Sequence, residues 1–357
     1  MNADLQLLAL LVHRRLLDEA NARAAMQSGA PQRWLVEHGV CTEAQWREWA
    51  ATAGGTRPNL SRYELGELLG EGGTARVFRA VDRTDQRVVA LKVLRPELSK
   101  DPTQVEAFVR EAKLLLDLEH DHVVRGIRVA REGDAFFFAM EELPGRCLQD
   151  ELRDKGRLDE EIALEIVADV AAALDALHAR GLVHRDVKPG NVIWSEDRGA
   201  VLIDLGFAVP RATATPAVGE TTAGTVHYIA PEQAKGSAEL DVRADIYALG
   251  ATLYHLVTGS LPFEGQSSED VLRKQVLESL SGERIRALNL SPQVHYFIEK
   301  MMAKEREIRF QDPKQLCAEV RGWLDARRQQ RELEEQAEKG RPRLGGGRSG
   351  ARRRRRR

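Results

Sequence analysis

The sequence predicts an α+β fold with a strand-rich first lobe and a helix-rich second lobe, preceded by a small all-α module. Three observations predict it. Strand-like segments crowd residues 63–94, helical spacing of apolar residues dominates from Asp245 onward, and the polar motifs with chemical meaning fall between the two. A chain of 357 residues with 43% apolar content can bury cores of this size.

Residues 1–57 are rich in Ala, Leu and Arg and repeat at an offset of 24: Leu11-Val12-His13-Arg14-Arg15-Leu16-Leu17-Asp18-Glu19-Ala20 answers Leu35-Val36-Glu37-His38-Gly39-Val40-Cys41-Thr42-Glu43-Ala44. In each copy an apolar helix end and a turn lead to an N-cap residue, Asp18 or Thr42. The reading is about four short helices, either a packing appendage or a docking module for a protein partner. Gly54, Gly55 and Pro58 mark a linker that ends at residue 61. Segments Leu65–Leu69, Ala75–Val81 and Arg87–Leu94 read as successive strands, Val105–Leu118 as a helix, and Ala135–Met140 as a buried strand. Ile162, Ile166, Val170, Leu174 and Leu177 share one helical face, with Asp159 as N-cap and Gly181 as the stop. Residues 327–340 read as a charged helical extension, and 341–357 as a disordered Gly/Arg tail.

The net charge of −2 hides an asymmetry. Residues 341–357 hold nine Arg and no acid, which leaves 44 basic against 55 acidic residues in 1–340, a formal charge of −11. Three readings of the tail stay open: a solvated end, a nucleic-acid contact of salt-sensitive affinity, or a contact with an acidic partner, including this chain's own body. No aromatic interleaves the arginines, which argues against base stacking. Cys41, Cys147 and Cys317 are too scattered for a disulfide framework or a zinc site. No run approaches the ~20 apolar residues of a membrane span, and no cleaved leader is expected at the start. A cytoplasmic protein is the expectation.

Chemistry concentrates in His184-Arg185-Asp186-Val187-Lys188-Pro189-Gly190-Asn191, followed by Asp204-Leu205-Gly206. Two carboxylates, an ammonium and an amide on neighbouring loops can hold Mg²⁺ and a hydroxyl beside a polyphosphate, and phosphoryl transfer asks mainly for positioning and charge neutralisation. Upstream, Gly70-Glu71-Gly72-Gly73-Thr74-Ala75 lies between two strands. Such a turn lets backbone N–H groups approach phosphates, although taken alone it is equally an ordinary hairpin. No Lys-Ser/Thr pair follows it, so it is not a Walker loop. Lys92 sits on the strand Val89-Ala90-Leu91-Lys92, with Glu111 nineteen residues on. Most strand lysines are simply solvated, but a Lys–Glu pair is costly to bury without a ligand reason.

Together these motifs, in this order over more than 200 residues, resemble the eukaryotic-like Ser/Thr protein kinases, especially the bacterial members. The resemblance covers residues 62–326 and implies the bilobal protein kinase fold. It implies that Gly70 and Gly72 belong to the phosphate-covering loop, with Ala75 in place of its third glycine. It also implies that Lys92, oriented by Glu111, reaches the ATP phosphates. Asp186 would act as catalytic base, Lys188 would contact the transferred phosphate, and Asn191 and Asp204 would bind Mg²⁺, with Mn²⁺ as an alternative. Leu205 stands where the family has Phe. Leu69, Val77, Ala90, Met140, Leu143 and Ile193 would enclose adenine, with Met140 at the gatekeeper position and the backbone of Glu141 to Leu143 as hinge. Ala230-Pro231-Glu232 closes the activation segment, with Arg309 as buried partner of Glu232. Asp245 and Gly250 lie on the helix that supports the catalytic loop. Arg185 would pair with a phosphorylated Thr221 or Thr222, while Thr225 and Lys188 favour Ser/Thr over Tyr as acceptor.

The expected function is transfer of the ATP γ-phosphate to protein Ser/Thr hydroxyls, regulated by autophosphorylation. Many members that the chain resembles carry a membrane helix and an external sensor after the kinase domain. None is expected here, so the input is expected from a cytosolic partner, with residues 1–57 as its site. Two other readings stay open: an inactive kinase-fold scaffold, which usually has lost one of the five key residues present here, and a binding protein acting through its two ends.

Overall fold

The computed structural model describes residues 8, 11–12, 17–43, 45–46, 58, 60–210, 225–237, 240–280 and 290–339. Thr221, Thr222 and the tail 341–357 lie outside the described residues.

The leading module closes a core of its own from Leu8, Leu11, Leu17, Ala22, Ala25, Leu35, Cys41 and Trp46. Helices α1 (Glu19–Gln27) and α2 (Pro31–Glu37) are complete within it. The repeat at offset 24 reappears in three dimensions. Leu11 and Leu35, Leu17 and Cys41, and Ala22 and Trp46 are buried as equivalent pairs. The Leu17 N–H donates to Leu11 O at 3.3 Å, and the Cys41 N–H to Leu35 O at 3.4 Å. Asp18 caps α1 by accepting from the Asn21 N–H, and Thr42 exchanges two hydrogen bonds with Gln45.

The first lobe is an antiparallel sheet in the order β1-β2-β3-β5-β4, with β1 Tyr63–Glu71, β2 Ala75–Asp82, β3 Val88–Leu94, β4 Gly126–Glu132 and β5 Ala135–Glu141. Side chains alternate across a strand, and here both faces are covered. Phe78, Ala80, Val89, Leu91, Val93, Phe137 and Ala139 form the outer cluster with Leu60 and Tyr63. Ala75, Ala90, Leu94, Phe138 and Met140 face the main core. Lys92 shares the inner set because it lies two residues from each of Ala90 and Leu94. The helix expected from Val105 begins earlier, as α3 Pro102–Asp117: Asp101 accepts from the Thr103 N–H and Pro102 supplies a fixed φ at the first helical position. Its buried stripe is Phe108, Glu111, Ala112 and Leu115, one face of a 3.6-residue period, so an acid occupies a core position.

The second lobe follows β6 (Arg146–Cys147) with α4 Leu148–Lys155 and α5 Glu160–His178, the latter capped by Asp159 and followed by Gly181 at φ 70°. Next come β7 Leu182–Val183, a 3₁₀ turn Pro189–Asn191, the hairpin β8 Val192–Ser195 and β9 Gly199–Leu202, and β10 Val209–Pro210, which pairs with β7. After a 3₁₀ turn at Thr225–His227 the lobe finishes with α6 Pro231–Ala234, α7 Val242–Thr258, α8 Ser268–Leu277, α9 Pro292–Met301 and α10 Pro313–Lys339. Helix α7 is buried almost throughout, and at Gly250 a Cβ would lie 2.7 Å from Met301 Cβ, so only glycine admits the α9 end there. The charged stretch read as a separate extension continues α10. It lies along α5 through Arg328–Glu165 at 2.6 Å, Arg327–Glu161 at 3.5 Å and an Arg331–Glu161 pair.

Candidate active site

One buried carboxylate sets the shape of the loop at 184–191. Asp245 on α7 accepts from the His184 N–H at 2.8 Å and the Arg185 N–H at 2.7 Å. Two adjacent N–H groups aimed at one carboxylate force a sharp bend, and Arg185 takes a left-handed φ of 70°, unusual for a residue with a side chain. Strain of this kind persists only where the surroundings over-determine it. The Arg185 Nε donates to Phe207 O at 2.8 Å, and Gln233 Nε2 donates to Arg185 O. Burial pushes the Asp245 carboxyl above its ordinary range, while His184 and the two N–H donors oppose that.

Beyond the bend, Asp186 is 4% exposed and receives two side chains. Lys188 Nζ lies 3.0 and 2.8 Å from its two oxygens, and Asn191 Nδ2 donates to its backbone O at 2.8 Å and to Oδ2 at 2.9 Å. The Asn191 amide nitrogen is thereby occupied, which leaves its oxygen as the group for a cation. Asn191 immediately precedes β8, and Asp204 follows β9 by two residues. Because Val192 pairs with Leu202, the antiparallel hairpin brings both to one end. This is why residues thirteen apart in sequence can serve one ion.

Across the cleft, Lys92 Nζ lies 2.6 Å from Glu111 and 3.4 Å from Asp204. One ammonium thus serves two carboxylates. Burial alone would lower the Lys92 pKa, but Asp204 and Glu111 hold it above that of an ordinary lysine. Burial pushes the Glu111 carboxyl up to about 7, against the pull of Lys92. Burial also opposes charge on Asp204, yet Lys92 and the Gly206 N–H at 2.9 Å hold its carboxyl well below the usual range. Asp204 is the most open of the three side chains, 32% exposed. A carboxylate oxygen and an amide oxygen brought to one end of the hairpin are hard donors suited to a divalent cation such as Mg²⁺, which keeps waters and takes its remaining ligands from phosphates. Among the described residues there is no group of three or more His, Cys, Asp or Glu that could hold a metal ion.

Val77 pairs with Lys92 across β2–β3, and Ala90 with Met140 across β3–β5, so Val77, Ala90 and Met140 occupy the inner face beside the lysine. Ile193 on β8 is half-buried, Leu143 packs against the main core, and Leu69 on β1 is 48% exposed. The Gly70 and Gly73 positions have room for a Cβ, with nothing within 4 Å, and neither has a positive φ. Among the described residues nothing requires glycine at these two positions, whereas backbone approach by a ligand would. The Glu141 carboxylate is committed to Arg198 by two contacts of 2.8 Å and to the Arg125 N–H at 2.9 Å, and its own N–H donates to Arg125 O at 3.0 Å. Arg79 likewise holds Glu142 at 2.6 Å. These partners lie 57 and 63 residues apart, and no sequence pattern signals them. The backbone of Thr225 is described; its side chain is not.

Residues 63–320 match the protein kinase domain. The chain belongs to the protein kinase family. A probable serine/threonine-protein kinase of Clostridium perfringens is 35% identical over 260 residues, covering 73% of this chain and 38% of the relative. The serine/threonine-protein kinase PknB of Mycobacterium leprae is 37% identical over 272 residues, covering 74% and 43%. PknB of Mycobacterium tuberculosis is 36% identical over 265 residues, covering 72% and 42%. The chain thus spans about two fifths of the length of these curated relatives. As a kinase domain it has the expected antiparallel first lobe and helical second lobe, with the cleft described above between them. Members of the family use ATP and a divalent metal. Among the described residues, no helix is long and apolar enough to cross a membrane.

Proposed function

We propose that this chain transfers the ATP γ-phosphate to Ser and Thr hydroxyls of proteins, with Mg²⁺ as the metal. The observation that supports this best is the convergence of Asp186, Lys188, Asn191 and Asp204 with an intact Lys92–Glu111 pair. In this reading Asp186 accepts the proton of the acceptor hydroxyl as its oxygen bonds to the γ-phosphorus and the bond to the ADP oxygen breaks. Lys188, within 3.0 Å, pairs with Asp186 and adds positive charge where the phosphoryl group passes. Lys92, steered by Glu111, engages the remaining phosphates. Asn191 and Asp204 would hold Mg²⁺, which neutralises phosphate charge when bound. Val77, Ala90 and Ile193 enclose the base, with Leu69 at the mouth, Met140 behind, and Leu143 on the hinge. Incubation with labelled ATP, Mg²⁺ and a generic basic protein should yield phosphoserine and phosphothreonine, and chelation should abolish the signal. Phosphotyrosine alone, or transfer unaffected by Lys92→Ala, would overturn the reading.

Regulation is read from Arg185. Its guanidinium lies beside the start of the activation segment, where it contacts Phe207. A phosphate on Thr221 or Thr222 would meet this cation and order the segment through charge-assisted hydrogen bonds. Mass spectrometry of active protein is expected to find that phosphate, and Thr221→Ala/Thr222→Ala is expected to lower activity about tenfold. Full activity in the double variant would remove these threonines from regulation. Residues 1–57 are proposed as the docking site of a protein partner, and the Arg tail as a contact for an acidic or nucleic-acid partner.

A further inference from the structure

The glycine-rich turn is gripped from outside the cleft by an arginine that the reading above leaves unused. Arg95 directly follows β3. Its backbone N–H donates to Thr74 O at 2.9 Å, its Nε to Gly72 O at 2.9 Å, and its guanidinium reaches Glu71 Oε1 at 2.9 Å. Arg76 donates to the same Glu71 oxygen at 2.8 Å. One residue therefore touches the turn at three points, Glu71, Gly72 and Thr74. We propose that Arg95 is a positioning residue for the nucleotide phosphates, holding the phosphate-covering turn in shape through Glu71 and the Gly72 carbonyl. The proposal rests on the reading of the cleft as an ATP site.

The physical reason lies in the peptide planes. No peptide bond among the described residues is cis, and in a trans peptide the C=O and the following N–H point in opposite directions. With Gly72 O turned toward Arg95, the Gly73 N–H faces away from Arg95. The Gly72 N–H is already spent on Ala75 O at 2.9 Å. Arg95 thus takes up a carbonyl that would otherwise be free to swing toward an anion and repel it. Ordering glycines costs more entropy than ordering any other residue, and a turn held in place beforehand spares the ligand that cost. Arg95 and Arg76 are 25% and 17% exposed, so the clasp is partly screened from water. β3 carries Lys92 into the cleft and Arg95 follows its last residue, so one short piece of backbone links the lysine to the turn.

The test is calorimetric binding of ATP and of adenosine to the full chain. In Arg95→Met, ATP affinity should fall about five- to tenfold, the upper part of the range for losing an ordinary intramolecular hydrogen bond, while adenosine affinity stays unchanged. Arg95→Lys should recover part of the loss. Glu71→Gln should show a smaller loss, and the Glu71→Gln/Arg95→Met double variant should be no worse than Arg95→Met. Unchanged ATP affinity in Arg95→Met would overturn the proposal. So would parallel losses for ATP and adenosine, which would mark a general disturbance of the sheet. If the unsubstituted protein binds adenosine but gains nothing from phosphates, the ATP reading itself falls.

Discussion

Asp186→Asn should lower kcat by about two to four powers of ten, the range for losing a positioned general base, with the KM for ATP nearly unchanged. Asn keeps one oxygen and the volume of Asp, so it can still accept from Asn191 Nδ2, at 2.9 Å in the parent. What it loses is the anion that Lys188 faces at 2.8 Å and the ability to take a proton. Because Asp186 is 4% exposed, bulk water cannot readily substitute for it. Steady-state kinetics with a peptide acceptor would separate the two effects. A loss below tenfold would show that Asp186 orients the loop without handling the proton, and a matching rise in the KM for ATP would place its contribution in nucleotide binding.

Arg309→Leu should destabilise the domain by about 3–5 kcal/mol, the usual cost of removing one partner from a buried ion pair. The Arg309 side chain is fully buried, and it meets both oxygens of Glu232, at 2.6 and 2.9 Å. Its remaining donors serve the carbonyls of Ala303, Arg243 and Lys304, so the substitution strands a carboxylate only 13% exposed and takes one donor from each of three carbonyls. For a domain of this size the melting temperature should drop by roughly 10 °C. Replacing both partners, Arg309→Leu/Glu232→Leu, should recover part of the loss, because the stranded charge is gone. Denaturant titration of the three variants would decide. A double variant less stable than Arg309→Leu would mean that Glu232 has a stabilising role independent of Arg309.

Much of this arrangement was legible because it is periodic or local. The inner face of β3 follows from alternation, and Asn191 and Asp204 sit at the two ends of a short hairpin. The Asp101-Pro102 start of α3 was present in the sequence as a cap and a fixed φ, although the apolar pattern begins only at Val105. Glu111 was readable as a partner for Lys92, but its place in the buried stripe of α3 was not, since an acid at a core position looks like a break in the pattern. The contacts that escaped reading join charged residues whose spacing carries no signal. Glu141 and Arg198 meet because the hinge passes over the β8–β9 turn, and Glu71 and Arg95 because β1 and β3 flank the same strand. Any of the many other arginines would have looked equally suitable.

The two adjacent hinge acids are gripped in opposite directions, Glu142 by Arg79 on the first lobe and Glu141 by Arg198 on the second. A connector anchored on both sides in this way resists bending like a leaf spring instead of swinging like a loose joint. Part of its stiffness is ionic and both grips reach solvent, so the resistance should soften as salt rises. For the proposed kinase reaction, the rate at which the cleft opens to release spent nucleotide is therefore expected to depend on ionic strength, through two pairs, Arg79–Glu142 and Arg198–Glu141, set on the connector.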